Sequence, residues 1–168
     1  MMVPSVTHGV HFQARLPLAW LPESATIPFE ATRYLAVLAE FEYVGEERSL
    51  EHSQLHAKLD LALLWLARSL AQEMPASCEA WVGLESLYWE AVSPLAVGSS
   101  GALALNLSTA LPFLLQLPAT IMSCEQDGEI WRISARLMIE DDGLRDGWER
   151  TVFRYHRRAI QQERGTRA

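Results

Sequence analysis

His52 and His56 stand four residues apart, the spacing that puts two imidazoles on one face of a helix as a pair of metal ligands would be. Neither a Glu nor a third His follows in register, so the pair reads as the polar start of an apolar helical seam. His8, His11 and His156 show no such spacing. Cys78 and Cys124 have no CxxC or zinc-type arrangement, which fits buried free thiols in a reducing cytoplasm. Glu46/Glu47 and Asp141/Asp142 are placed as helix N-terminal charges, not as a general acid and base. Arg150, Arg154 and Arg158 fall on adjoining turns of one helix, where guanidinium forks can hold a phosphate bidentately. A solvated face with local ion pairs would carry the same residues. There is no nucleophile elbow, phosphate loop or metalloprotease helix, and no nucleophile or base with an orienting partner. The expectation is a protein that is not an enzyme, with no metal.

The element that must position His52 and His56 is the stretch Glu46–Met74. It has no Gly or Pro and is rich in Leu, Ala, Glu, Gln, Lys and Arg, the residues that lose least entropy in a helix. From Leu59 to Leu66 every residue but Asp60 is apolar, which predicts a helix covered on several sides. His52, His56, Leu59, Leu63, Leu66 and Leu70 follow alternating steps of four and three, the seam of a coiled coil. Leu55, Leu59, Ala62 and Leu66 give a second, overlapping seam. Copies of the same helix would cover these residues; a central helix in a monomeric bundle would show the same pattern. A first helix is expected over about Pro28–Tyr43, from the 4-3-4-3 repeat of Ile27, Ala31, Tyr34, Leu38 and Phe41, with Gly45 ending it.

Elsewhere the period is two. Val10 to Leu18 alternates as a half-buried strand with Pro17 near an edge or end, and Trp20–Pro28 reads as a connector. Strands are expected over Cys78–Ala91, Gly101–Leu107, Leu114–Cys124 and Trp131–Ile139, with Gly128 in a turn. Asp141-Asp142-Gly143 can cap a last helix, whose apolar stripe is Trp148, Val152, Tyr155 and Ala159. Short meandering strands closing on themselves suggest a small barrel.

With 168 residues, 49% hydrophobic and 21% charged, the chain suits one soluble folded domain. The net charge of −7 argues against nucleic acid as a partner. Residues 150–168 hold six Arg against one Glu, so a basic C-terminal helix sits on an acidic body. Ala91–Cys124 is free of charge over 34 residues, but Pro94, Pro112 and Pro118 interrupt it, so no membrane span is expected.

The blocks KLDLALLWLARSL (Lys58–Leu70), WVGLESLYWEAVSPLAVGSSGALALNL (Trp81–Leu107), LPFLLQLPATI (Leu111–Ile121) and WERTVFRYHRRAI (Trp148–Ile160) resemble the atypical PilZ domains, most closely the tetrameric PilZ proteins of xanthomonads. The resemblance implies an α+β fold: a six-stranded antiparallel PilZ-like barrel, interrupted after its first strand by two long helices and followed by a C-terminal helix. It implies a single domain, 1–168, with a helical oligomerisation insertion at about 28–74. It also implies a homotetramer held by a four-helix coiled coil.

PilZ domains are receptors for cyclic di-GMP, usually through an Arg-x-x-x-Arg motif ahead of the barrel and an Asp/Asn-x-Ser-x-x-Gly motif on an early strand. Here Arg68 is the only Arg between Arg48 and Trp81, and position 72 is Gln. Gly83, Glu85 and Tyr88 stand where Asp, Ser and Gly are expected. Arg150, Arg154 and Arg158 match the arginine spacing but follow the barrel. The expectation is therefore a cytoplasmic, homo-oligomeric signalling adaptor in cyclic di-GMP-linked control of virulence or surface behaviour. It would have a protein partner, no cofactor, and weak or no direct messenger binding. A direct receptor with a rearranged site and a purely structural oligomerisation protein are the alternatives.

Overall fold

A computed structural model describes residues 9–23, 26–42, 59, 62–63, 66 and 73–166. Its six strands form a closed antiparallel barrel in the order β1 (His11–Pro22), β2 (Ser77–Gly83), β3 (Ser86–Ala91), β6 (Ile130–Leu137), β5 (Leu115–Asp127), β4 (Ser100–Leu105). Helix α1 (Pro28–Phe41) follows β1, and α2 (Asp142–Thr166) follows β6. The expected six-stranded antiparallel barrel, with helices after its first and last strands, is the fold observed. Among the described residues no helix is long and apolar enough to cross a membrane.

Closure depends on β1 pairing on both sides. Residues 11–17 pair with β2 and residues 18–22 with β4. Pro17, which lacks an N–H, sits at the changeover, its carbonyl accepting from the Asn106 N–H at 3.0 Å. The strand thus continues through Trp20–Pro22, where the sequence suggested a connector, because β4 supplies a new partner beyond the proline. Cys78–Ala91, expected as one strand, is two. The only break between them is the turn at Leu84–Glu85, which leaves the apolar alternation almost unbroken on either side.

The barrel interior is aliphatic: Val82, Leu87, Leu103, Leu105, Leu115, Leu117, Ile121, Ile133 and Ala135 are fully buried. Each large member contributes about 1.5–3 kcal/mol of transfer free energy. Helix α1 buries Ala31, Tyr34, Leu35 and Leu38, the i, i+3, i+4, i+7 face of an amphipathic helix. Ile27 instead is 56% exposed, since it lies before the first helical turn and Leu35 fills the stripe.

Helix α2 begins with the Asp141 carboxylate accepting from the Leu144 N–H at 2.7 Å, a side-chain cap. It buries Leu144, Trp148 and Val152. The Trp148 indole N–H points at the carbonyls of Gly83 (3.3 Å) and Leu84 (3.2 Å). The β2–β3 turn is thereby fastened to α2.

Candidate functional site

The outward faces of β2, β3, β6 and β5 are set by register. Tyr88 opposes Trp81 on one side and Ser134 on the other, and Ser134 opposes Ser123. A flanking row runs Glu90, Arg132, Glu125, and the row on the other side runs Ser86, Arg136, Thr120. The middle row faces out only because of a bulge in β5. Ile121 pairs with Ala135 and Ser123 with Ser134, so Met122 is the extra residue and the alternation reverses beyond it. Ile121 therefore points into the barrel, Met122 is 53% exposed, and Cys124 packs against the core.

The middle row, with Glu125, Ser86 and Arg136 from the flanking rows, floors a cleft of about 680 Å³, walled by His11, Leu84, Glu85 and Met122. The Trp81 and Tyr88 rings meet edge to face, 5.2 Å apart at 73°. The Ser123 and Ser134 hydroxyls are 2.6 Å apart. Arg132 is bound to Asp127 at 2.6 Å. Burial raises the Tyr88 phenol above its ordinary pKa, Arg132 partly offsets this, and Glu90, Glu125 and Asp127 raise it further. Gly83, Glu85 and Tyr88, the three positions set against the family's second motif, all line this cleft.

The C-terminal arginines stand elsewhere. Arg150 pairs with Asp146 at 2.9 Å, one turn away on its own helix. Arg154 Nε and Arg158 Nη1 both donate to Glu42 Oε2, at 3.2 and 3.0 Å. The Tyr155 hydroxyl lies 2.7 Å from Glu42 Oε1 and 3.1 Å from the Leu107 carbonyl. Burial, then the hydrogen bond and charge of Glu42, push the Tyr155 pKa well above the usual phenol value. Both guanidinium groups also approach the Tyr155 ring, at 5.8 and 5.6 Å from its centroid. All three candidate phosphate ligands thus already pair with a carboxylate of their own chain, two of them with the same Glu42. Leu59, Leu63 and Leu66 are helical and 52, 43 and 56% exposed. His52, His56 and Leu70 lie outside the described residues.

The family described as "Atypical PilZ domain, cyclic di-GMP receptor" matches residues 38–165. The chain belongs to the atypical PilZ family. A search of curated proteins finds no match. Among solved structures, the chain is similar to a pathogenic protein of Xanthomonas campestris, described as a new tetrameric PilZ domain self-assembled via an unusual helical bundle. The identity is 28%, 92% of each chain is covered and the TM-score is 0.82.

Within this PilZ fold, sequence reasoning missed two groupings. Arg136, Ser134 and Trp81 converge only through strand register, and their sole signal was outward alternation in β6 and β2. Glu42 meets Arg154 and Arg158 across 112 and 116 residues, a separation over which no local pattern carries a signal.

Proposed function

We propose that this PilZ protein is a non-enzymatic signalling adaptor of the cytoplasm, acting in cyclic di-GMP-linked regulation of virulence or surface behaviour. It would work through contacts with a protein partner, with weak or no direct binding of the messenger. The observation that carries this is the charge of the cleft. Glu85 and Glu125 line it against a single guanidinium, Arg136, and Tyr88 fills a position where a small residue would admit a ligand. A phosphate held about 4 Å from a carboxylate is repelled by roughly 1 kcal/mol in water, and by about four times that near a protein surface. The arginines that could offset this, Arg154 and Arg158, are engaged by Glu42.

Self-assembly belongs to the same proposal. The chain is taken as one domain whose helical insertion, about 28–74, joins four copies through a coiled coil with Leu59, Leu63, Leu66, Leu70, His52 and His56 in the seam. Three leucines of that seam are about half exposed on one chain, so burying the rest of each is worth roughly half of the 1.5–3 kcal/mol of full burial. Four barrels on one stalk would let a modest partner site act with avidity. Sedimentation of the full chain at micromolar concentration tests this: a tetramer mass is expected, and a monomer contradicts it.

A second reading, a direct cyclic di-GMP receptor, is favoured by the family's description and by Arg136, which has no ion-pair partner among the described residues. Titration of Arg136→Ala and Arg154→Ala separates the two. Messenger binding abolished by either change supports the receptor.

A further inference from the structure

The cleft is unsuited to an anion but well suited to a cation. We propose that it is a docking surface for a basic segment of a protein partner, with an arginine or lysine side chain of that segment seated against the Trp81–Tyr88 pair. This rests on the adaptor reading above and adds the surface and the chemistry of the partner.

Three observations carry it. First, the half-buried Trp81, backed edge to face by the buried Tyr88, offers a ring whose quadrupole attracts a cation, and the neighbouring Met122 and Leu84 offer contact to the aliphatic stem of a long basic side chain. Trp, Tyr and Met are the residues enriched where proteins meet. Second, the free charges around the pair are mostly acidic. Among the described residues Glu85, Glu90 and Glu125 make no ion pair, whereas Arg132 is neutralised by Asp127 and Arg15 by Glu79. Of the described residues around the pair, Arg136 is the one guanidinium without an ion pair. It lies in the row on the far side of Tyr88 from Glu90 and Glu125, and Glu85, whose carbonyl accepts from the Leu137 N–H, stands on that same side. Third, the Tyr88 phenol is raised chiefly by burial, and of the charges that bear on it Arg132 opposes the rise while three carboxylates, Glu90, Glu125 and Asp127, add to it. A basic residue entering from the Glu90–Glu125 side meets carboxylates and a ring before it reaches Arg136.

The test is a selection of a random 12-residue peptide library, displayed on phage, against the intact full-length protein. Enriched peptides are then synthesised and titrated by fluorescence anisotropy. The expected result is enrichment of Arg or Lys beside an apolar residue, with affinity lowered about tenfold by Glu85→Gln/Glu125→Gln. Trp81→Ala should lower it at least as much, and the affinity should weaken as salt rises from low to moderate. The double Gln variant alters only exposed side chains, so it decides the matter even where Trp81→Ala fails to fold. Neutral or acidic sequences, or basic ones bound equally by the double variant, would overturn the docking surface and leave the adaptor reading intact. Displacement of the peptides by cyclic di-GMP would also overturn it, by making the cleft a nucleotide site. Tight messenger binding that Trp81→Ala leaves unchanged would instead sink the adaptor reading and leave the docking surface standing.

Discussion

Removing the Glu42 carboxylate should loosen the joint between α1 and α2. Glu42 is the C-cap of α1, and its side chain, 14% exposed, receives Arg154 (20% exposed), Arg158 (40%) and the Tyr155 hydroxyl. Breaking a buried pair by deleting one partner costs about 3–5 kcal/mol, because the other charge is left uncompensated. Arg158 keeps much of its hydration, and Tyr155 can turn fully to the Leu107 carbonyl, so the expected loss for Glu42→Ala is nearer 2–3 kcal/mol. In a chain of this size each kcal/mol moves the melting midpoint by about 2–4 °C, which gives a fall of roughly 5–10 °C. Glu42→Gln keeps an acceptor and should lose about half as much. The assay is urea and thermal unfolding followed by circular dichroism at one fixed protein concentration, since association shifts apparent stability. In a double-mutant cycle, Arg154→Ala should add little once Glu42 is gone. A loss below about 0.5 kcal/mol, the range of ordinary surface substitutions, would refute the assignment of this cluster as a partly buried clasp.

Leu63→Asp places a charge on the exposed helical stripe and should give smaller species or unfolding in sedimentation; a folded tetramer would refute the seam. Gly101→Ala brings a Cβ to 2.5 Å from the Leu21 carbonyl and 2.8 Å from the Trp20 ring where β1 and β4 close the barrel. It should cost about 1–3 kcal/mol by overpacking, read as a lower urea midpoint. Tyr34 and Tyr155 both have pKa values raised by burial and by Glu42. A raised folded-state value means the unfolded chain releases these protons first. The stabilisation is therefore complete below about pH 10 and falls as pH rises above it, and Tyr155→Phe should flatten that slope in alkaline unfolding.

Much of the barrel was legible because its chemistry is local. Leu103 and Leu105, or Ile133 and Ala135, recur at period two between smaller or polar residues, and that alternation is what a strand requires. What escaped was decided between elements. Trp20–Pro22 joins β1 only because β4 lies beside it, and the β2–β3 turn is held from outside by Trp148. Ile27 shares the periodicity of α1 but precedes its first turn. The candidate site was half visible: Gly83, Glu85 and Tyr88 were found by resemblance and do line one cleft. The bulge at Met122, which turns Ser123 outward to meet Ser134, has no composition signal, and neither has the convergence of Arg154 and Arg158 on Glu42.

The most direct test of the adaptor reading is calorimetric titration of the purified full-length protein with cyclic di-GMP at low and moderate salt. The carboxylate-lined cleft and the arginines held by Glu42 predict no saturable heat at micromolar ligand. Saturation at micromolar concentration or below, abolished by Arg136→Ala or Arg154→Ala, would contradict the account and make this protein a direct receptor.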